Sequence, residues 1–543
     1  MTNLEIAQQA TLLPIDEIAQ RAKLGHDDYE PLGRTKAKLT TAAMNRLAAS
    51  PIKGKLILVT AINPTPAGEG KTTVSIGLSQ GLNQIGRKAI PALREPALGP
   101  VFGVKGGACG GGYSQVLPME EINLFFNGDF PAITAAHNLL SAMVDGSLHN
   151  GNPLGLDTSK IWWPRAVDMI DRGLREIVIG LGSGNGPVRS DGFVITPASE
   201  VMASLCLSSS FKDLKERLGS IIVGLGTGGA PITAKDVGAA GAMAALLRDA
   251  IHPNLVQTME GGPAVLHGGP FGNVAHGCSS LLGTRCGLGL GEYLVTEGGF
   301  GSDLGGEKFL NIVCPQVGTD PSAIVLVATV RALKYHGKGD LQVGMANLGQ
   351  HIRHLTSYGP PVVVAVNQFA DDTPEEMEAV CAYARSQGVE AVNANPWMGG
   401  GPGCTDLAAK VVEVADKPST FKTIYDRTDT LPQKLEKLTQ KVYGGRGVVF
   451  SKAAEKRLAW AEANGYGDLP VCVAKTQMSL SDDASLIGAP TGFDLHVRDL
   501  KISAGARFLV AICGDIMLMP GMGKTPAATR IDVDDDGVIH GLN

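Results

Sequence analysis

Cysteine is scarce and shows no pairing pattern. The nine, at positions 109, 206, 278, 286, 314, 381, 404, 472 and 513, form no C-x-x-C, and a chain of 543 residues is too long to need covalent staples. This usage excludes a disulfide scaffold and fits a reducing compartment. No run of about 18 apolar residues occurs, and the first thirty residues contain acids but no apolar signal core. A soluble, cytoplasmic protein with no membrane partner is expected. Neither charge dominates: 47 Lys and Arg against 53 Asp and Glu leave a net −6 with both signs mixed along the chain. That lacks the basic stripe of a nucleic-acid binder, so small anions must be captured by local groups. Eleven histidines include no H-x-x-x-H pair, so no zinc site is expected. His137 and His276, set among small and apolar residues, read as structural hydrogen-bonding histidines. Aromatics make up only 5% of the chain.

Glycine is abundant instead. The 71 glycines are about 13% of the chain, against an average of about 7%. With no collagen-like period, they point to tight turns and close approach of backbone to backbone or ligand. Between them lie apolar runs rich in β-branched residues: 56–61, 176–181, 220–225, 292–297, 323–330 and 361–367. Runs without polar alternation, separated by helical stretches, predict strands buried on both faces of a mostly parallel sheet. Residues 87–95 predict a further strand, and Pro91 argues against a central place for it. The stretch "PEEMEAVCAYARSQG" (374–388) predicts a helix, with Pro374 near its start and Gly388 past its end, followed by a strand at 389–395. The charged, helical stretch from about 410 to 470 reads as peripheral.

The chemistry concentrates in "TPAGEGKTT" (65–73), a phosphate-binding loop of the form G-x-x-x-x-G-K-[ST] with Thr65 where the first glycine belongs. It follows an apolar run and precedes a helix marked by Val74, Leu78, Leu82 and Ile85. This is the strand–loop–helix context the motif requires. Thr65, Pro66, Ala67, Gly68, Glu69, Gly70, Lys71 and Thr72 are therefore the expected nucleotide loop. Its N–H groups and helix dipole meet phosphate, Lys71 adds charge, and the Thr72 hydroxyl is a magnesium ligand. The fold class expected is α/β: a P-loop NTPase-like, mostly parallel sheet with additional α/β domains. Arg94 and Glu95 fall at the end of the 87–95 strand, where a guanidinium could pair with phosphate or carboxylate, or simply form a surface ion pair. The run 106–112, five glycines in seven residues, reads as tight turns or ligand clearance. Phe369 and Trp397 end two predicted neighbouring strands, as a sandwich for a planar heterocycle or as core residues. From the residues alone, the chain is expected to bind a nucleotide; another acyl-phosphate-forming P-loop ligase and a nucleotide-gated switch ATPase are the rival readings.

The set of motifs resembles the formate–tetrahydrofolate ligase family nearly end to end. "TPAGEGKTT", "GVKGGACGGGY" (103–113), "VATVRALKYHGK" (327–338), "FNGDFPAITAAHNLL" and "GDIMLMPGMGKTPAA" carry the likeness. Cys109, Pro197, Lys338 and "PGMGK" depart from the family's usual residues. The resemblance implies that formate attacks the terminal phosphate of ATP, and that formyl phosphate then passes its formyl group to tetrahydrofolate. The products are 10-formyltetrahydrofolate, ADP and phosphate. It implies magnesium, a potassium or ammonium ion, and a homotetramer. It assigns Lys71, Arg94 and Glu95 to catalysis, Glu95 also to the monovalent-cation vicinity, and Phe369, Trp397 and Asp129 to the folate. The organisation it suggests is a nucleotide domain at 1–135, completed by about 280–365, an inserted α/β domain at 136–279, and a C-terminal α/β domain at 366–543 that contributes to the folate site.

Overall fold

A computed structural model describes residues 1–103 and 109–542. Its centre is a large sheet in which seven strands run parallel, in the order Pro263–Leu266, Ala89–Leu93, Tyr293–Glu297, Lys55–Ala61, Pro321–Ala328, Val362–Asn367 and Glu390–Ala394. Antiparallel strands, among them Asn254–Thr258 and Ala37–Leu39, extend it beyond Pro263–Leu266.

Alternate residues of each parallel strand serve opposite cores, which is why the sequence shows unbroken apolar runs. Ile57, Val59, Val295, Val325, Val327 and Val363 pack with Val74, Leu78 and Leu82 of helix Lys71–Gln84 and with Leu407 and Val411 of helix Thr405–Ala415. Leu56, Leu58, Leu294, Ile324, Leu326 and Val364 face the other way. They pack against Leu348 and Ile352 of helix Leu341–Thr356 and against Val380 of helix Pro374–Ser386. Ile85 lies past the helix end and is exposed.

Three of the strand expectations need correction. Pro91 sits inside a central strand, paired with Val295. It is tolerated because the ladder to the neighbouring short strand is made only at Ala92 and Leu93, beyond the missing N–H. The run at 176–181 forms only Ile177–Ile179 in a two-stranded antiparallel hairpin with Arg189–Asp191. The run at 220–225 becomes Ile222–Gly226, in a separate three-stranded antiparallel sheet. That sheet packs with helices Asp129–His149, Phe211–Ser220 and Ala240–Leu246 as a lateral unit.

Toward the C-terminus, a four-stranded sheet in the order Gly447–Phe450, Asp494–Ser503, Phe508–Cys513, Val471–Ala474 is mixed in direction. Within 410–470, Leu431, Leu435 and Leu438 are buried against it, so that stretch is amphipathic and not wholly peripheral. Among the described residues no helix is long and apolar enough to cross a membrane. All nine cysteines are free and buried.

Candidate active site

The parallel strands bring their carboxyl ends to one edge, where α/β sheets collect ligands. Loop 65–70 leaves the central strand Lys55–Ala61, and Gly70 caps helix Lys71–Gln84 with φ +68°. Gly68 also has a positive φ, of +79°. Thr65 is not in the left-handed region, so the position has no need of glycine. Its hydroxyl accepts from Ala67 N at 3.3 Å, and its own N–H donates to Glu69 Oε1 at 2.7 Å, so the threonine closes the turn.

Lys71, Thr72 and Arg94 gather around Glu297, the last residue of strand Tyr293–Glu297. Lys71 Nζ lies 3.4 Å from Glu297 Oε2, and Thr72 Oγ1 donates at 2.9 and 3.2 Å to the two carboxylate oxygens. An Arg94 nitrogen is 3.9 Å from Glu297 Oε1, and another donates to Pro270 O at 3.1 Å. The Arg94 Nε is buried without a partner. Burial pulls the Lys71 ammonium below its ordinary pKa; Glu297 opposes this and Arg94 adds to it. Two cations thus share one carboxylate at a nearly closed site, an arrangement short of negative charge. Glu297 escaped the sequence reading, although a lone carboxylate closing a buried apolar run was the available signal.

A second group lies on the other side of the loop. The Glu69 carboxylate accepts from Thr329 Oγ1 at 2.5 Å and Arg331 Nε at 3.2 Å, while Asn367 Nδ2 donates to the Glu69 carbonyl at 3.0 Å. Arg331 also donates to the Gly68 carbonyl, and its guanidinium lies 3.8 Å from the centre of the Phe369 ring. Glu69 was expected only as a loop residue; here it anchors the loop to the start of helix Val330–His336 and to the end of strand Val362–Asn367.

Glu95 and Asp129 stand apart from the Lys71 group. Glu95 Oε1 accepts from Gly268 N at 2.9 Å, and Asp129 is gripped by Lys38 Nζ at 2.8 and 3.0 Å and by Asn254 at 2.8 Å. Burial first, then the Asp129 charge, raises the Glu95 carboxyl well above its ordinary range. Trp397, partly exposed, donates through Nε1 to Asn3 Oδ1 at 3.1 Å and lies against Gly111 and Gly112. It reaches there because Gly77 and Gly81 let segment 396–404 press onto the loop's helix, where a Cβ would meet Pro396 Cβ at 2.6 Å and Cys404 O at 2.8 Å. In the glycine run, positions 106–108 lie outside the described residues, as does 104–108 of the 103–113 motif.

The two singled-out histidines differ. His137 is structural as expected, bonded to Ser199 Oγ at 2.8 Å and Pro164 O at 2.9 Å. His276 is fully buried with neither ring nitrogen partnered, so the hydrogen-bonding reading fails for it. Burial, then Arg94, pushes it down to about 3, which keeps it neutral. Lys338 adopts φ +55°, in the left-handed region that favours glycine.

The family model described as Formate–tetrahydrofolate ligase matches residues 1–543. A protein of Symbiobacterium thermophilum named formate–tetrahydrofolate ligase is 53% identical over 555 aligned residues, with both chains covered completely. One of a Nocardioides species, with the same name, is 53% identical over 561 residues, again with complete coverage. The chain belongs to the formate–tetrahydrofolate ligase family.

Proposed function

We propose that the chain ligates formate to tetrahydrofolate at the expense of ATP, through a formyl phosphate held between Lys71 and Arg94, in one-carbon metabolism. The observation that carries the mechanism is the convergence of these two cations on Glu297 beside a helix N-terminus. The large parallel sheet with its strand–loop–helix supports the P-loop NTPase-like reading, and residues 65–72 are proposed as the ATP loop.

Magnesium suits the oxygen donors of Thr72 and Glu297, which are hard ligands side by side; these two would hold it and let it neutralise phosphate charge. Phosphoryl transfer needs mainly positioning and charge stabilisation. In this reading, the formate oxygen attacks the terminal phosphorus and ADP leaves, with Arg94 and Lys71 facing the growing negative charge. The folate amine then attacks the formyl carbon and phosphate departs. Burial of Lys71 and Glu297 protects the anhydride from water.

Glu95 and Asp129 offer two carboxylates to one ammonium, from Lys38. A potassium or ammonium ion near Glu95 would favour its ionised form against the burial and the Asp129 charge that raise its carboxyl. Phe369 and Trp397 are proposed to flank the pteridine, with Asp129 on the folate side. A homotetramer and the cytoplasm remain part of the proposal. So does a three-part organisation in which the large sheet binds nucleotide, the lateral helices form an insertion, and the C-terminal part completes the folate site.

The test is a coupled assay with ATP, formate and tetrahydrofolate, each omitted in turn. ADP should form only when all three are present. Turnover that needs another acid and ignores folate would instead mark a different acyl-phosphate ligase.

A further inference from the structure

We propose that Arg331 is a positioning residue that ties the nucleotide loop to the Phe369 ring, so that nucleotide and folate sense each other through it. The proposal rests on the reading of Phe369 as a pteridine platform.

The contacts form a closed circuit. From the loop, the Gly68 carbonyl and the Glu69 carboxylate hold two nitrogens of Arg331. The guanidinium lies over Phe369, with its carbon 3.8 Å from the ring centre. Two residues back along the chain, Asn367 donates to the Glu69 carbonyl at 3.0 Å and so returns the circuit to the loop. Thr329 fixes the Glu69 carboxylate at 2.5 Å, and Asp372 accepts from the Phe369 N–H at 2.8 Å. Gly70 completes the fit: a Cβ there would stand 2.6 Å from Asn367 Nδ2 and 3.9 Å from the Phe369 ring.

Two consequences follow. Any displacement of residues 68–69 pulls on the Arg331 guanidinium and the Asn367 amide, and the guanidinium bears directly on the Phe369 ring. Because Arg331 covers one ring face, a planar heterocycle must take the opposite one. The result is a guanidinium–phenyl–heterocycle stack in which the cation strengthens the ring's hold. A lysine in place of Arg331 keeps the charge but loses both the planar stack and the two-pronged grip.

Coupling is measured by calorimetric titration of the full-length protein with a non-hydrolysable ATP analogue, with and without saturating tetrahydrofolate and with no formate. The wild type should show at least about a fivefold change in nucleotide affinity on adding folate. In Arg331→Lys the change should fall to within about twofold of none, and Glu69→Gln, which weakens the same grip without touching the ring, should lower it in between. A wild type without coupling, or an Arg331→Lys variant with the wild-type factor, overturns the proposal while leaving the folate reading intact. Phe369→Leu separates the two: it should raise the folate KM, and an unchanged KM would overturn the platform reading and this proposal with it.

Discussion

Lys71 shows burial and charge competing at one atom. Desolvation weakens its ammonium, Glu297 restores it, and the nearby Arg94 weakens it again. A phosphate entering there would meet two cations with one carboxylate between them, which is why charge stabilisation should depend steeply on each. Arg94→Ser is expected to lower kcat by roughly 100- to 1,000-fold, the usual loss of one strong charge-stabilising donor. ATP affinity should change little; steady-state kinetics with near-normal turnover would remove Arg94 from the reaction. Away from the site, burial lifts the Glu307 carboxyl to about 7, against the opposing Asn311 hydrogen bond at 2.8 Å, and its Oε2 has no partner. Between the unfolded value of 4.5 and about 7 the folded chain keeps a proton that the unfolded chain releases. The group's contribution is therefore full at low pH and is lost as pH rises through that window. Glu307→Gln should gain on the wild type by about 1–3 kcal/mol between pH 5 and pH 8. Melting temperatures at the two pH values would check it, and a pH-independent difference would contradict it.

Among the elements, the strand–loop–helix at 55–84 was the most readable, because an apolar run, a glycine turn and helical spacing are all local signals. Its tightness is tertiary. Gly70→Ala would force a side chain into left-handed backbone, at about 1–2 kcal/mol, and would push Asn367 off the Glu69 carbonyl. ATP binding should weaken about tenfold or more, since 1.4 kcal/mol is tenfold in affinity; equal affinity in a titration would show that the loop has slack. The runs at 176–181 and 220–225 were misplaced for a related reason. A short β-branched run has the same composition in a buried parallel strand and in an antiparallel hairpin, and only its neighbours decide between them. Val178, exposed at 56%, stands in such a hairpin.

At the scale of the whole molecule, the C-terminal four-stranded sheet is locked to the central one by a buried ion pair. Lys475 Nζ, just past strand Val471–Ala474, lies 2.5 Å from Asp303 Oδ2, and both side chains are fully buried. Asn63, two residues before Thr65, donates to Asp303 Oδ1 at 3.2 Å, and its own oxygen meets His351. Lys475→Met would strand the Asp303 charge, at a cost of about 3–5 kcal/mol. The expected result is a lower melting temperature together with weaker nucleotide binding, because the strain reaches Asn63. Adding Asp303→Leu should recover most of the stability, and a single variant as stable as the wild type would deny the lock. Periodicity and turn chemistry alone determined the parallel α/β core and the strand–loop–helix at 55–84, because those signals lie within a few residues of one another, while the family likeness was carried by the motifs themselves. Glu297 as the meeting point of the cations, Arg331 as a bridge and Asn63 as a brace were decided only by tertiary structure. Lys71 and Glu297 stand 226 residues apart, and no local pattern records which distant strand end a side chain will meet.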